Sequence, residues 1–212
     1  KSTILKIAAG LLKPDQGAVL INGQDYTAKP HLVGYMPQQD LLFPWKRLTE
    51  NAALPLLAAG ISKQEALKKV AEMLPVFGLD NFAGYYPNQL SGGMRQRAAL
   101  LRTIMVQSDL LLLDEPFAAL DAITRENLQD WLLTIWEQFK PAVLFVTHSI
   151  DEAIYLSDRI YMISERPGTN KLELKINLPR PRTKDILTSP AFGDYKQQLF
   201  NALNYGPDIK PE

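Results

Sequence analysis

Apolar residues recur at helical spacing from the first turn of the chain: Ile4, Ile7, Ala8 and Leu11 fall at i, i+3, i+4 and i+7, which predicts a helix stopped by Pro14. Pro14-Asp15-Gln16-Gly17 then reads as a turn. AVLI at 18–21 reads as a strand entering a tight hairpin at Asn22-Gly23, and a second short strand is expected over 31–36. From Trp45 to Gln107 the pattern is helical. Ser62 and Glu65 form a capping box, Leu67, Val70, Ala71 and Leu74 supply the apolar face of the helix it starts, and Ser91 opens another long helix.

The next stretch alternates strand and helix. Leu110–Leu113 is a short, wholly apolar run of the kind a buried parallel strand shows, and Leu128, Trp131, Leu132 and Ile135 give the following helix one apolar face that ends before Pro141. VLFV at 143–146 predicts a second buried strand, Ser149 and Glu152 a capping box for a short helix, and Arg159–Ser164 a returning strand. This βαβ rhythm implies a parallel sheet covered by helices, with ligands gathered outside the carboxyl ends of the strands. Beyond Arg166, KLELKIN at 171–177 alternates Leu172, Leu174 and Ile176 with polar residues, as a half-exposed strand does; NLPRPR at 177–182 reads as a rigid linker, and 190–204 as a last short helix.

Composition narrows the classes. In 212 residues, 23 Lys+Arg balance 23 Asp+Glu, which removes a sequence-wide electrostatic case for nucleic acid or an anionic membrane. Cys is absent, so disulfides, thiolate metal sites and cysteine nucleophiles are excluded. The Leu110–Leu113 run is far below the roughly 18 residues a membrane helix needs, so no span is expected. A basic residue before an apolar stretch could open a signal peptide, but Lys6 interrupts the run and Pro14-Asp15 stands where a small-residue cleavage site would be.

The candidate chemistry lies in five segments. Lys1-Ser2-Thr3 at a helix start matches the end of G-x-x-x-x-G-K-[ST] and its helix, in which backbone N–H groups hold phosphates, the Lys reaches the β- and γ-phosphates and the hydroxyl binds Mg²⁺; alone, it reads as well as a solvated Lys and a capping Ser. Leu90-Ser91-Gly92-Gly93-Met94-Arg95-Gln96-Arg97 is far more specific. Its glycines let backbone N–H groups approach an anion closely, and seven fixed positions at about one in twenty each make chance occurrence on the order of 10⁻⁹ per start site. LLLLDEP then ends an apolar strand on Asp114, placed for Mg²⁺, and Glu115, placed to polarise water. Asp121 after FAAL reads as a helix N-cap, and His148 ends VLFVTH, where a lone His is commonly a structural hydrogen-bonding residue. With only His31 and His148 in the chain, a zinc site built from histidines is excluded.

The LSGGxRQR string resembles the signature motif of the ATPase subunits of ABC transporters, and the motifs downstream of the phosphate loop occur in that family's order across nearly the whole chain. The resemblance implies a P-loop NTPase (RecA-like) α/β core with a mostly parallel sheet, an inserted helical subdomain over 45–107 and a small antiparallel β portion. The ATPase domain would cover 1–165, and a tail over 166–212 would pack on it. Glu115 would be the catalytic base and Asp114, Ser2 and Gln38 the Mg²⁺ residues. His148 and Gln38 would sense the γ-phosphate, Gln38 aligning in MPQQDLLFPW because Pro44 falls six positions later. Lys1, Ser2 and Thr3 of one copy and Ser91, Gly92 and Gly93 of a second would sandwich ATP, and Asp121 would cross the dimer interface. The phosphate-loop glycines, their feeding strand and an aromatic that stacks on adenine are expected upstream of Lys1.

LLFPW, FAALDAITRENLQDWLLTIW and DEAIYLSDR…RPG…LPRPR look like the nitrate, sulfonate and taurine type of importer ATPase, which also serves some pyrimidine-precursor systems. Ala118 replaces a Gly common there, and Ser149 an Asp; both Ser and Asp cap helices. The expected partners are a second ATPase copy, an integral-membrane permease facing 40–60 and, indirectly, an extracytoplasmic solute-binding protein, with no nucleic acid. That places the subunit at the cytoplasmic face of the membrane. The alternatives are a non-transport ABC ATPase acting on nucleic acid, disfavoured by neutral charge and the absence of Cys, and an idle regulatory module, disfavoured by retention of Glu115 and His148.

Overall fold

The computed structural model describes residues 1–29, 33–165 and 167–204. These form two compact units, one of 1–128 with 135–146 and the other of 129–134 with the residues from Thr147 onward. The division between them falls at Val146/Thr147, ahead of the change of pattern near 166.

In the first unit, α1 (Ser2–Ala8) lays Leu5 and Ala9 against Leu112. It is shorter than its periodicity predicts. Gly10 takes φ +71°, and the N–H groups of Gly10 and Leu11 turn back to the carbonyls of Ile7 and Lys6 at 3.0 and 2.8 Å. This is a Schellman stop, so Leu11 never joins the helix and stands exposed. The hairpin forms as expected from β1 (Leu20–Ile21) and β2 (Gln24–Asp25), antiparallel, with positive φ at both Asn22 and Gly23. β3 (Gly34–Met36) follows; of the strand expected over 31–36, His31 and Leu32 lie outside the described residues.

The helical stretch consists of α2 (Leu48–Ala58), α3 (Lys63–Met73) and α4 (Gly92–Ile104), with 3₁₀ turns at 80–82 and 87–89. Ser62 caps α3 by accepting the Glu65 N–H at 3.3 Å, and the stripe that buries is Ala66, Val70 and Leu74. β4 (Leu110–Asp114) sits between β3 and β5 (Ala142–Val146), parallel to both, in the order β3-β4-β5. Its central place buries Leu111 to Asp114. β5 is less buried than its apolar sequence predicts: among the described residues it pairs with β4, and Val143 and Leu144 are each 38% exposed.

α5 (Ala122–Phe139) contributes residues to both units and ends on Lys140 in the left-handed conformation, just before Pro141. The second unit continues with α6 (Ile150–Leu156), the antiparallel pair β6 (Arg159–Ile163) and β7 (Asn170–Lys175), and α7 (Pro190–Asn204). Leu133, Ile154, Tyr155, Ile176, Leu178, Phe192 and Leu199 form its core. The α/β class, the parallel sheet, the helical insertion and the small antiparallel sheets are those the sequence predicts. Among the described residues no helix is long and apolar enough to cross a membrane.

Candidate functional site

Parallel pairing brings the carboxyl ends of β3 and β4 to one edge, and four of the expected residues meet there. Ser2, in the first turn of α1, donates from Oγ to Asp114 Oδ1 at 3.1 Å across 112 positions of sequence. Gln38, two residues past β3, donates from Nε2 to Glu115 Oε2 at 3.3 Å. Asp114 is 3% exposed, and among the described residues no basic side chain forms an ion pair with it. The charge of Asp114 adds to burial in pushing the Tyr35 hydroxyl up. Glu115 directly follows the strand with φ +48°, a left-handed conformation costly for a residue with a Cβ, while its N–H donates to the Val146 carbonyl at 2.9 Å. The chain thus turns out of the sheet at Glu115 and carries its carboxylate toward Gln38.

Lys1 stands at the N-cap of α1, its carbonyl taking the N–H of Ile4 at 2.9 Å; Thr3 is exposed on the first turn. Ser91 caps α4, its Oγ accepting the Met94 N–H at 3.2 Å. The two glycines after it answer a packing demand. A Cβ at Gly93 would come to 2.9 Å from Thr124 Cγ2, and one at Gly92 to 3.3 Å from Leu120 Cδ2. Asp121 caps α5 by accepting the Thr124 N–H at 3.0 Å, and the Thr124 hydrogen bonds hold its carboxyl below the usual range. Gln38, Gly92 and Leu120 also line one cavity of about 390 Å³.

Two arginines of α4 tie the Gln38 loop to the helix, a link that the sequence pattern does not show. Arg102 donates to the carbonyls of Asp40 and, at 2.7 Å, Leu41, whose φ is +46°; Arg95 pairs with Asp40 at 3.3 Å. Burial pushes the Arg102 guanidinium down, against the charge of Asp40.

His148 belongs to the second unit, two residues past the end of β5. Its neighbours Thr147 and Ser149 are both bonded to Glu152, which is buried. The capping box expected there forms only in half. Ser149 Oγ accepts the Glu152 N–H at 3.3 Å, but the Ser149 N–H goes to Thr147 Oγ1 at 2.9 Å rather than to the Glu152 carboxylate. The stretch read as a linker is also built in: the Arg182 side chain is fully buried, and its Nη1 caps the end of α6 by donating to the carbonyls of Ile154, Tyr155 and Ser157 at 3.1, 3.0 and 2.7 Å. Its Nη2 reaches Asp158 at 3.3 Å. From the same helix Tyr155 donates to Asp130 at 2.8 Å, and its hydroxyl is pushed far up by burial and by that carboxylate.

These features agree with known proteins. Residues 1–118 match the ABC transporter family. An uncharacterized ABC transporter ATP-binding protein of Methanocaldococcus jannaschii is 44% identical over 203 residues, 96% of this chain and 75% of its own. An aliphatic sulfonates import ATP-binding protein of Bacillus cereus is 42% identical over 206 residues, 97% of this chain and 80% of its own. Among solved structures, a dimeric ATP-binding cassette in a post-hydrolysis state bound to ADP and Pi superposes with a TM-score of 0.70 at 33% identity, covering 83% of this chain and 80% of that one. A strand ending in Asp114 with Glu115 directly after it, a signature helix capped by Ser91 and these relatives over nearly the full length lead to one assignment: the chain belongs to the ATP-binding, ATP-hydrolysing subunits of the ABC transporter family.

Proposed function

We propose that this chain powers an importer of small organic anions of the aliphatic sulfonate class, hydrolysing Mg²⁺-ATP between two copies of itself against a membrane permease at the cytoplasmic face. The meeting of Ser2 with Asp114 and of Gln38 with Glu115 carries the catalytic part of this reading. A hydroxyl, a carboxylate and an amide oxygen are the hard donors Mg²⁺ prefers, and Mg²⁺ is held by one or two carboxylates with phosphates and water rather than by an acidic cage. No group of three or more acidic or His residues suited to a metal occurs among the described residues, in keeping with such a sparse site. Asp114, buried and bonded among the described residues to the Ser2 hydroxyl rather than to a basic side chain, is a carboxylate that a cation would satisfy. When bound, the metal draws charge from the transferring phosphoryl group.

The chain's own groups do the rest. Glu115 orients and polarises the attacking water, and Gln38 holds the Glu115 carboxylate until substrate draws it away. His148 contacts the γ-phosphate, Lys1, Ser2 and Thr3 hold the phosphates of one ATP, and Ser91, Gly92 and Gly93 of the second copy close over it, with Asp121 at the dimer interface. Phe43 and Trp45, stacked at 5.1 Å with Trp45 70% exposed, are the apolar surface offered to the permease. The sulfonate class rests on the Bacillus cereus relative. The test is reconstitution with the permease and binding protein encoded beside it. Uptake of a labelled alkanesulfonate that needs ATP, stops on chelation of Mg²⁺ and is lost in Asp114→Asn is the expected result; uptake of an unrelated solute alone would refute the substrate class.

A further inference from the structure

The segment that presents His148 is enclosed by a ring of hydrogen bonds built around one buried residue, Glu152. Glu152 is 7% exposed. Its Oε2 accepts the Thr147 hydroxyl and its Oε1 accepts Gln129 Nε2 at 3.1 Å. Thr147 Oγ1 in turn accepts the Ser149 N–H at 2.9 Å, and Ser149 Oγ accepts the Glu152 N–H at 3.3 Å. The residues on both sides of His148 are therefore fixed to the first turn of α6, and α6 is held at its other end by Arg182 on the carbonyls of Ile154, Tyr155 and Ser157.

A helix-start Glu whose only task was capping would turn back to the Ser149 N–H. Here that N–H is served by Thr147, and the carboxylate goes upstream of the helix, to the residue before His148. A carboxylate buried to this extent is expensive unless its acceptor positions are filled, and here Thr147 and Gln129 fill one on each oxygen.

We infer that Glu152, braced by Gln129 and acting through Thr147, is a positioning residue that sets the backbone direction from which the His148 imidazole projects. The inference rests on the reading of His148 as a γ-phosphate contact, and two independent readouts separate them. The first is the imidazole resonance of His148, which a His148→Ala spectrum distinguishes from that of His31, the chain's other histidine. The second is ATP turnover by the protein.

Thr147→Val and Glu152→Met remove the ring's hydroxyl and carboxylate at nearly constant volume. Each is expected to shift the His148 resonance and to lower kcat about 10-fold with KM for ATP unchanged, since loss of a supporting hydrogen bond costs on that order. Thr147→Ser keeps the hydroxyl, and Glu152→Gln keeps an acceptor for it while the Gln129 amide turns over to accept. Both are expected to retain the wild-type resonance and kcat within about twofold. An unmoved resonance with kcat within about twofold of wild type in Thr147→Val overturns the inference, and that variant alone decides if Glu152→Met does not fold. If His148→Ala keeps full turnover, the γ-phosphate reading falls, while the resonance still judges the ring.

Discussion

Two segments of this chain carry candidate chemistry just past a strand, and they are held in place by different means. At 114–115 the backbone does the work. Asp114 is placed by the register of β4, and Glu115 by a left-handed φ and an N–H bond to Val146. At 147–149 side chains do it: Thr147, Ser149, Glu152 and Gln129 close a ring, and Arg182 secures the far end of the same short helix. The first arrangement survives loss of a functional side chain, because the strand does not depend on it. The second couples position to stability, because the groups that aim the segment also satisfy buried polar atoms.

Substitutions can break or sharpen that contrast. The largest effect is expected of Glu115→Gln, which leaves the backbone as it is: ATP turnover falls on the order of 100-fold or more with the melting temperature unchanged. Turnover near wild type would remove Glu115 from the role of base. Glu115→Gly separates the two properties further, relieving the positive φ and stabilising the fold by roughly 1 kcal/mol in chemical denaturation while abolishing hydrolysis. At the other segment stability fails first. Arg182→Ala leaves three carbonyls at the end of α6 without their donor and is expected to cost about 2–3 kcal/mol at the urea midpoint. Arg182→Lys recovers little of it, because a single ammonium does not reproduce the planar fork.

The smallest effect is expected at Asp121, a solvated cap. Its carboxyl is held below the usual range by Thr124, so it stabilises the fold fully above the unfolded-chain value of about 3.9 and loses that contribution as pH falls through the lower folded value. Asp121→Ala therefore lowers the melting temperature slightly at neutral pH and not at all in strong acid. An equal deficit at both would assign the loss to something other than the charged cap.

Where a signal was local, it was legible. The Asn22-Gly23 turn, the caps at Ser62, Ser91, Asp121 and Ser149, and the apolar run of β4 each arise from a few adjacent residues, and each forms. The first helix ends sooner than its periodicity predicts, because Gly10 adopts a positive φ and closes it before Leu11. The β5 run reads as buried as the β4 run because both are wholly apolar, yet among the described residues Leu111 to Leu113 are buried and Val143 and Leu144 exposed. Arg182 in NLPRPR looked like linker polarity, since nothing nearby in sequence reveals that its guanidinium meets carbonyls some 25 positions earlier. Arg102 was hidden in the same way: its partners in the Gln38 loop lie about 60 positions away.

By itself, then, the sequence determined the family, the α/β class and the identity of the residues to examine, because motif spacing and helix caps are written over short distances. Tertiary structure alone decided which of them meet. Parallel pairing of β3 with β4 turns two distant loops into neighbours and sets Gln38 against Glu115, and the packing of α1 on β4 sets Ser2 against Asp114. It also decided that a linker arginine caps a helix and that a helix-start glutamate braces the segment around His148. Hydrogen bonds of this kind join residues brought together by folding, and the order of the chain holds no record of those distances.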